Sequence, residues 1–533
     1  MPIISCNSDR SKRKSSISSY VLIPGLLIMA AALLFTPSLP QTAPTAEAAG
    51  QELTIAFGVD PDTLDPAEAV TSPSNMVSLH MLETLFERSP EGEIEPLLAR
   101  DYQVLEEGQE YEITLREGIE FHDGTYFDAE AVKYNLERII EEEGPNAFLI
   151  DRLDEIEIKD DYRLRLRTEE PFAPLITNLA NQAIAMISPA ALEEYGEDIS
   201  SNPVGTGPFV FSEWSPGEEI IVERNEKYRG GVPELERLSF EIVPEDSARV
   251  IMVETGEADA IMGVPPQDRE RLVELEEVEV VEIPSMRTMF TGFNTQREPF
   301  DDPQIRRALN YAVDSETIVS QLLNGAGIPS QAPIAPSVFG HSEEEIYSHD
   351  PDRAEEMLAE AGYEDGFSAN LYHPVGRYME DEIIAQAIQS QLADIGVEVE
   401  LITMEWTTLL ETIAQPPEEA EHDMYLLGFS SGTGDADYSL YSLFHSSQWP
   451  PAGNAFSYYE NEELDELLEK ARLVSDPAER ENIYADASQL IWQEAPWIFL
   501  HSEVQLNAVR ENVEGLIHYP EEYISARDAR IVE

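Results

Sequence analysis

The chain has 533 residues, 42% of them hydrophobic, which excludes both a single core and wholesale disorder; two or three domains are expected. Lys and Arg total 33 against 105 Asp and Glu, a net charge of −72, which excludes nucleic acid and anionic membrane surfaces as partners of the body. The acids are spread along the whole chain in short runs such as Glu141-Glu142-Glu143, so they read as a solvated coat suited to high salt rather than a cation-binding tail.

Arg10, Lys12, Arg13 and Lys14 open a positive region. Residues 20–35 are apolar apart from Pro24 and Gly25, and residues 42–50 are small and contain Ala46-Glu47-Ala48. This order predicts a secretory signal peptide over residues 1–48, cut after Ala48 or Ala49; an uncut membrane anchor is the alternative. The one cysteine, Cys6, precedes the apolar core, so it cannot accept a lipoprotein's lipid, and no internal disulfide can form. No later segment is long and apolar enough to span a bilayer.

Leu53, Ile55 and Phe57 alternate as in a strand, and Pro61, Asp62, Asp65 and Pro66 form a loop. Residues 76–86 read as a helix. Tyr111, Ile113 and Leu115 alternate again. Asp128 is a good N-cap for a helix whose apolar face is Ala131, Val132, Leu136, Ile139 and Ile140. Leu164 and Leu166 mark another strand, and residues 202–208 are punctuated by Gly and Pro. Asp302-Pro303, Asp350-Pro351 and Asp476-Pro477 each place a capping carboxylate before a first-turn proline, and Gly362 is a terminator. No repeat of fixed period is present. Residues 367–404 form the clearest βαβ unit: a strand at 367–372, apolar residues from Ile383 to Ile395 at helical spacing, then Val397, Val399 and Leu401 alternating. An α/β fold with a parallel sheet follows, and the buried run 424–429 adds a further strand.

Two charged side chains follow strand ends of that sheet. Arg377 stands in HPVGRYME and Asp437 in SSGTGDADY, beyond the apolar run ending at Phe429. In open α/β sheets, ligands bind beyond the carboxyl ends of strands. If both strands are parallel, a cationic fork and a carboxylate share one crevice, which suits a zwitterion: Arg377 takes a carboxylate and Asp437 an ammonium group. Asp435 and the glycine loop at Gly434 belong to the same candidate site. Trp406 follows another strand end and is a candidate apolar wall or a core residue. Asn75, in TSPSNM, is a candidate ligand residue or a cap. Catalytic patterns are poor: no H-E-x-x-H, no G-x-S-x-G, no Walker loop. His122 and His445 read as loop residues. No cofactor and no metal site is expected.

The sequence resembles the periplasmic solute-binding proteins of the peptide/nickel/opine group, which feed ABC importers. The resemblance rests on LTIAFGVDPDTLDP, YEITLREGIEFHDGTYFDAEAVKYNLERI, NPVGTGPF, FNTQREPFDDPQIRRALNYAVD and DPDRAEEMLAEAGY. AMISPAALEEYG, GFSSGTGDADYSLYSLFHSSQWPP and DASQLIWQEAPWIFL are similar to the glutathione-binding subgroup, with parts shared by dipeptide binders. The resemblance implies a two-lobed fold with a hinge and an extra domain in the first lobe. The first lobe would comprise 49–95, 210–300 and 500–533, the extra domain 96–209, and the second lobe 301–499. It implies that Arg377 holds a peptide carboxylate and Asp437 its amino group. It further implies a monomer outside the cytoplasm, with glutathione or a di- to tripeptide as ligand and an ABC permease as partner. A nickel chelate or longer oligopeptide is the alternative ligand. A secreted acidic hydrolase and a peptide sensor without transport are the alternatives of other classes.

Overall fold

The computed structural model describes residues 51–142 and 144–532. The signal-peptide reading, with Cys6, falls on residues outside these. Among the described residues no helix is long and apolar enough to cross a membrane.

One eleven-stranded mixed sheet runs through the structure. Its path is Val397–Met404, Phe367–Pro374, Met424–Ser430, Val278–Phe293, Trp497–Arg510, Ala260–Met262, Gln51–Phe57, Leu235–Ile242, Glu219–Arg224 and Phe209–Ser215. Gly327–Pro329 pairs off that path with Trp497–Arg510. The expected βαβ unit is present: Phe367–Pro374 and Val397–Met404 pair in parallel, joined by the helix Asp381–Asp394. Met424–Ser430 is parallel to Phe367–Pro374 on its other side. Ile384, Ile388 and Leu392 of that helix pack with Leu371, Val397 and Met424, burying the apolar helical face that the spacing predicts.

The two halves of the sheet belong to two lobes, and two long antiparallel strands connect them. Val278–Phe293 has 16 residues and Trp497–Arg510 has 14. Phe290 stacks on Trp497 with ring centroids 3.5 Å apart. The ladder between these strands is broken from Pro284 to Thr288, which takes Ser285, Met286 and Arg287 out of register. An extra domain adds a four-stranded antiparallel sheet, in the order Ala99–Leu105, Glu110–Leu115, Arg163–Thr168 and Leu153–Asp160. Its core contains Tyr111, Ile113, Leu115, Leu164 and Leu166 beneath the helix Ala129–Glu142. Asp128 caps that helix by accepting the Ala131 N–H at 3.0 Å.

The three Asp-Pro starts each open a helix: Pro303–Ala312, Pro351–Glu360 and Pro477–Glu494. In each the aspartate side chain accepts an N–H of the first turn. The helix expected at 76–86 is displaced. Helix occupies Ser72–Ser78, and the chain then turns. The backbone from His80 onward is claimed by partners far away in sequence: Gly207 donates to the Met81 carbonyl at 2.9 Å and Phe209 to the His80 carbonyl at 3.0 Å. This approach explains one glycine of the punctuated segment. A Cβ on Gly207 would lie 2.7 Å from the Met81 carbonyl carbon.

Candidate ligand-binding site

A cavity of about 890 Å³ opens between the lobes. Phe57 to Val59, Ser72, Met76 and the 262–267 loop line one wall, and residues 375–383 line the other. The long strands contribute Arg287 and Glu503, and Glu522 closes one side. The size suits a small organic ligand.

Arg377 lines this cavity from the turn after Phe367–Pro374. That turn is fixed by Asp381, a buried carboxylate that accepts the backbone N–H groups of Gly376, Arg377 and Tyr378 at 3.2, 2.9 and 3.1 Å. The Arg377 guanidinium lies 4.9 Å from the Trp406 ring centre and 5.1 Å from that of Tyr378. It is exposed, and among the described residues no carboxylate comes within ion-pair distance. A guanidinium stacked on aromatic faces, with its donors unclaimed, is ready to take a carboxylate in two parallel hydrogen bonds. Trp406 supports Arg377 from behind and packs edge-on against Tyr378, 5.8 Å between ring centres.

Asp437 and Asp435 are elsewhere, which corrects the shared-crevice expectation. After Ser430 the chain folds back: Phe339 donates to the Gly434 carbonyl at 2.9 Å, and Ala436 donates to the Phe339 carbonyl at 3.0 Å. This bridge draws both carboxylates into the second lobe. Asp435 is buried and accepts two hydrogen bonds from Arg480, at 3.0 and 2.8 Å. Asp437 is 8% exposed and faces Arg472, with 3.2 Å between Oδ1 and Nε. Burial pushes its pKa up to about 6, although Arg472 opposes the shift. Neither lines the inter-lobe cavity. Gly434 has φ +63° and packs against Arg88; a Cβ there would lie 2.6 Å from the guanidinium carbon. It shapes the loop rather than the cavity wall. Asn75 lies on the helix Ser72–Ser78, whose Ser72, Pro73 and Met76 line the cavity while Asn75 does not. Its Oδ1 is buried without a hydrogen-bond partner.

The sequence reading missed Arg287, Glu503 and Glu522. The break in the ladder at 285–287 turns Arg287 into the cavity, opposite Glu503. Arg287 donates from Nη2 to Glu522 at 2.8 Å, and its Nε lies 3.2 Å from Glu503. Burial raises the Glu503 pKa to about 7; Arg287 and Arg377 oppose the rise and Glu522 adds to it. A signal was available, since Arg287 and Glu503 are the charged residues in the largely buried strand segments SMRTMF and WIFLHSEV.

A smaller cavity of about 100 Å³ lies where the 432–433 loop meets residues from the other side of the cleft. Arg88 donates to the Thr433 carbonyl and pairs with Glu521 at 3.1 Å. Asn181 donates to the Gly432 carbonyl at 2.7 Å. These bonds hold the lobes together at the cleft.

The family described as bacterial extracellular solute-binding proteins, family 5, matches residues 93–451. The glutathione-binding protein GsiB of Escherichia coli O1:K1 is 33% identical over 485 residues, covering 90% of this chain and 94% of that one. Two solved structures share the fold. The DppA periplasmic binding protein of Helicobacter pylori, in complex with the peptide STSA, superimposes with a TM-score of 0.79 at 26% identity, covering 91% of this chain and 98% of that one. A dipeptide-binding protein from a Pseudoalteromonas species, in complex with Met-Leu, gives 0.79 at 25% identity, covering 90% and 100%.

Proposed function

The chain belongs to the bacterial extracellular solute-binding proteins of family 5, and from that premise we propose that it captures glutathione or a di- to tripeptide and delivers it to an ABC importer. It is a binding protein and not an enzyme. The observation that carries the ligand reading is Arg377: a guanidinium without a carboxylate partner among the described residues, held by a fixed turn and aimed into a cavity between two lobes. It would take the ligand's carboxylate. The names of similar proteins, glutathione-binding and dipeptide-binding, point to the same ligand class.

Binding would draw together the lobes, at the boundaries given above, about the two long strands, with Arg88–Thr433 and Asn181–Gly432 as closing bonds. Export by residues 1–48 and action as a monomer beside a membrane permease complete the proposal. A thermal-shift screen of glutathione, dipeptides, longer peptides and metal chelates tests it, because a ligand that binds only the folded state raises the unfolding temperature. A rise with glutathione or short peptides, and no turnover of them, is expected. A rise confined to chelates or longer peptides, or cleavage of the ligand, would overturn the reading.

A further inference from the structure

A zwitterionic ligand needs a partner for its ammonium group, and the loop at 435–437 does not offer one. Asp435 is engaged by Arg480; Asp437 forms only an ion pair with Arg472, at 3.2 Å and without a hydrogen bond, but both carboxylates lie outside the cavity. The cavity holds a different carboxylate.

Glu503 lies on Trp497–Arg510 opposite the break in the ladder, and its side chain is 13% exposed. It lines the same cavity as Arg377 and accepts no hydrogen bond among the described residues. Its contact with Arg287 is an ion pair at 3.2 Å, and the buried Nε of Arg287 makes no hydrogen bond. The better-aligned bond from Arg287 goes to Glu522, at 2.8 Å, which also accepts from Ser72 at 3.4 Å. One guanidinium therefore faces two carboxylates, and with both ionised the trio has a net charge of about −1 in a site of low dielectric. Tyr378 completes the surroundings. Its ring lies 5.6 Å from the Arg287 guanidinium, and its hydroxyl already donates to the Gly428 carbonyl. Arg377, whose charge also reaches Glu503, would be neutralised by a ligand carboxylate; a cation beside Glu503 would then balance the trio, and Glu503 has lone pairs free to receive its N–H donors.

We propose that Glu503, backed by Glu522, anchors the ammonium group of the ligand while Arg377 holds its carboxylate, so that the site selects ligands with a free amine. This rests on the peptide reading above. The burial that raises the pKa of Glu503 to about 7 fits a carboxylate short of one cation. An arriving ammonium group stabilises its ionised form and releases a proton where Glu503 was still protonated.

The test is calorimetry at about pH 8, where Glu503 is ionised and an α-amine still carries much of its charge. Glutathione, Ala-Ala and Ala-Ala-Ala are titrated, each beside its N-acetyl form, into the wild-type chain and into Glu503→Gln. The wild type should prefer the free amine by about tenfold or more in at least one pair. Glu503→Gln should abolish that preference, the free-amine form losing about tenfold more affinity than the N-acetyl form. A purely structural trio would weaken both forms alike. Indifference of the wild type to N-acetylation, or a preference that survives in Glu503→Gln, overturns the assignment and leaves the peptide reading standing. Absence of binding by every probe overturns both. Should Glu503→Gln fail to fold, Glu503→Asp takes its place: a shortened carboxylate should weaken the preference, while indifference of the wild type to N-acetylation still overturns the assignment.

Discussion

Asp435 and Asp437 are two residues apart and have separate partners, Arg480 and Arg472. Asp437 has a consequence for stability. Its carboxyl keeps its proton up to a pKa of about 6 in the fold, against an ordinary value of 3.8. The folded state then binds more protons than the unfolded state between these values. The contribution is fully present below about pH 4 and is lost as the pH rises to about 6. Asp437→Asn should flatten that part of the stability profile by on the order of 2–3 kcal/mol, measured by urea unfolding across the window. A profile parallel to that of the wild type would contradict the assignment. At this scale the sequence was legible where a side chain follows directly from a strand end, as Arg377 does. Asp437 was not, because its place depends on a backbone bridge to Phe339, which no local pattern records. Glu522 lies in a terminal segment without alternation and gave no signal.

Among the elements, those with local signals formed as the sequence predicts. The Asp-Pro helices have capping aspartates, the βαβ unit has its two periods, and the helix after Asp128 has its apolar face. The helix expected at 76–86 failed because strands and turns far away in the chain compete for the same backbone groups. The break in the long ladder was equally hidden, yet it is what brings Arg287 to the cavity. The strands joining the lobes depend on the stack of Phe290 on Trp497, whose indole N–H also donates to Ser457 at 3.2 Å. Trp497→Ala should cost about 3–5 kcal/mol of stability. Urea unfolding measures this, and a loss under about 1 kcal/mol would show that the strands are held together by other contacts.

For the whole molecule, the charge of −72 and the proposed anionic ligand oppose each other. In about 1 M salt the Debye length falls to about 3 Å, which removes long-range repulsion but spares contacts such as a carboxylate on Arg377. Glutathione binding should therefore hold or strengthen from low salt to brine. Clear weakening, with the fold intact at both salts, would count against this balance. A short peptide or glutathione is proposed to bind in the inter-lobe cavity by its carboxylate at Arg377. Calorimetry of the best ligand from the screen, with the wild type and Arg377→Ala side by side, tests this most directly. The wild type should bind and the variant should lose about 2–5 kcal/mol of binding energy, with the fold retained because Arg377 is exposed. Equal affinity in the two proteins would contradict it.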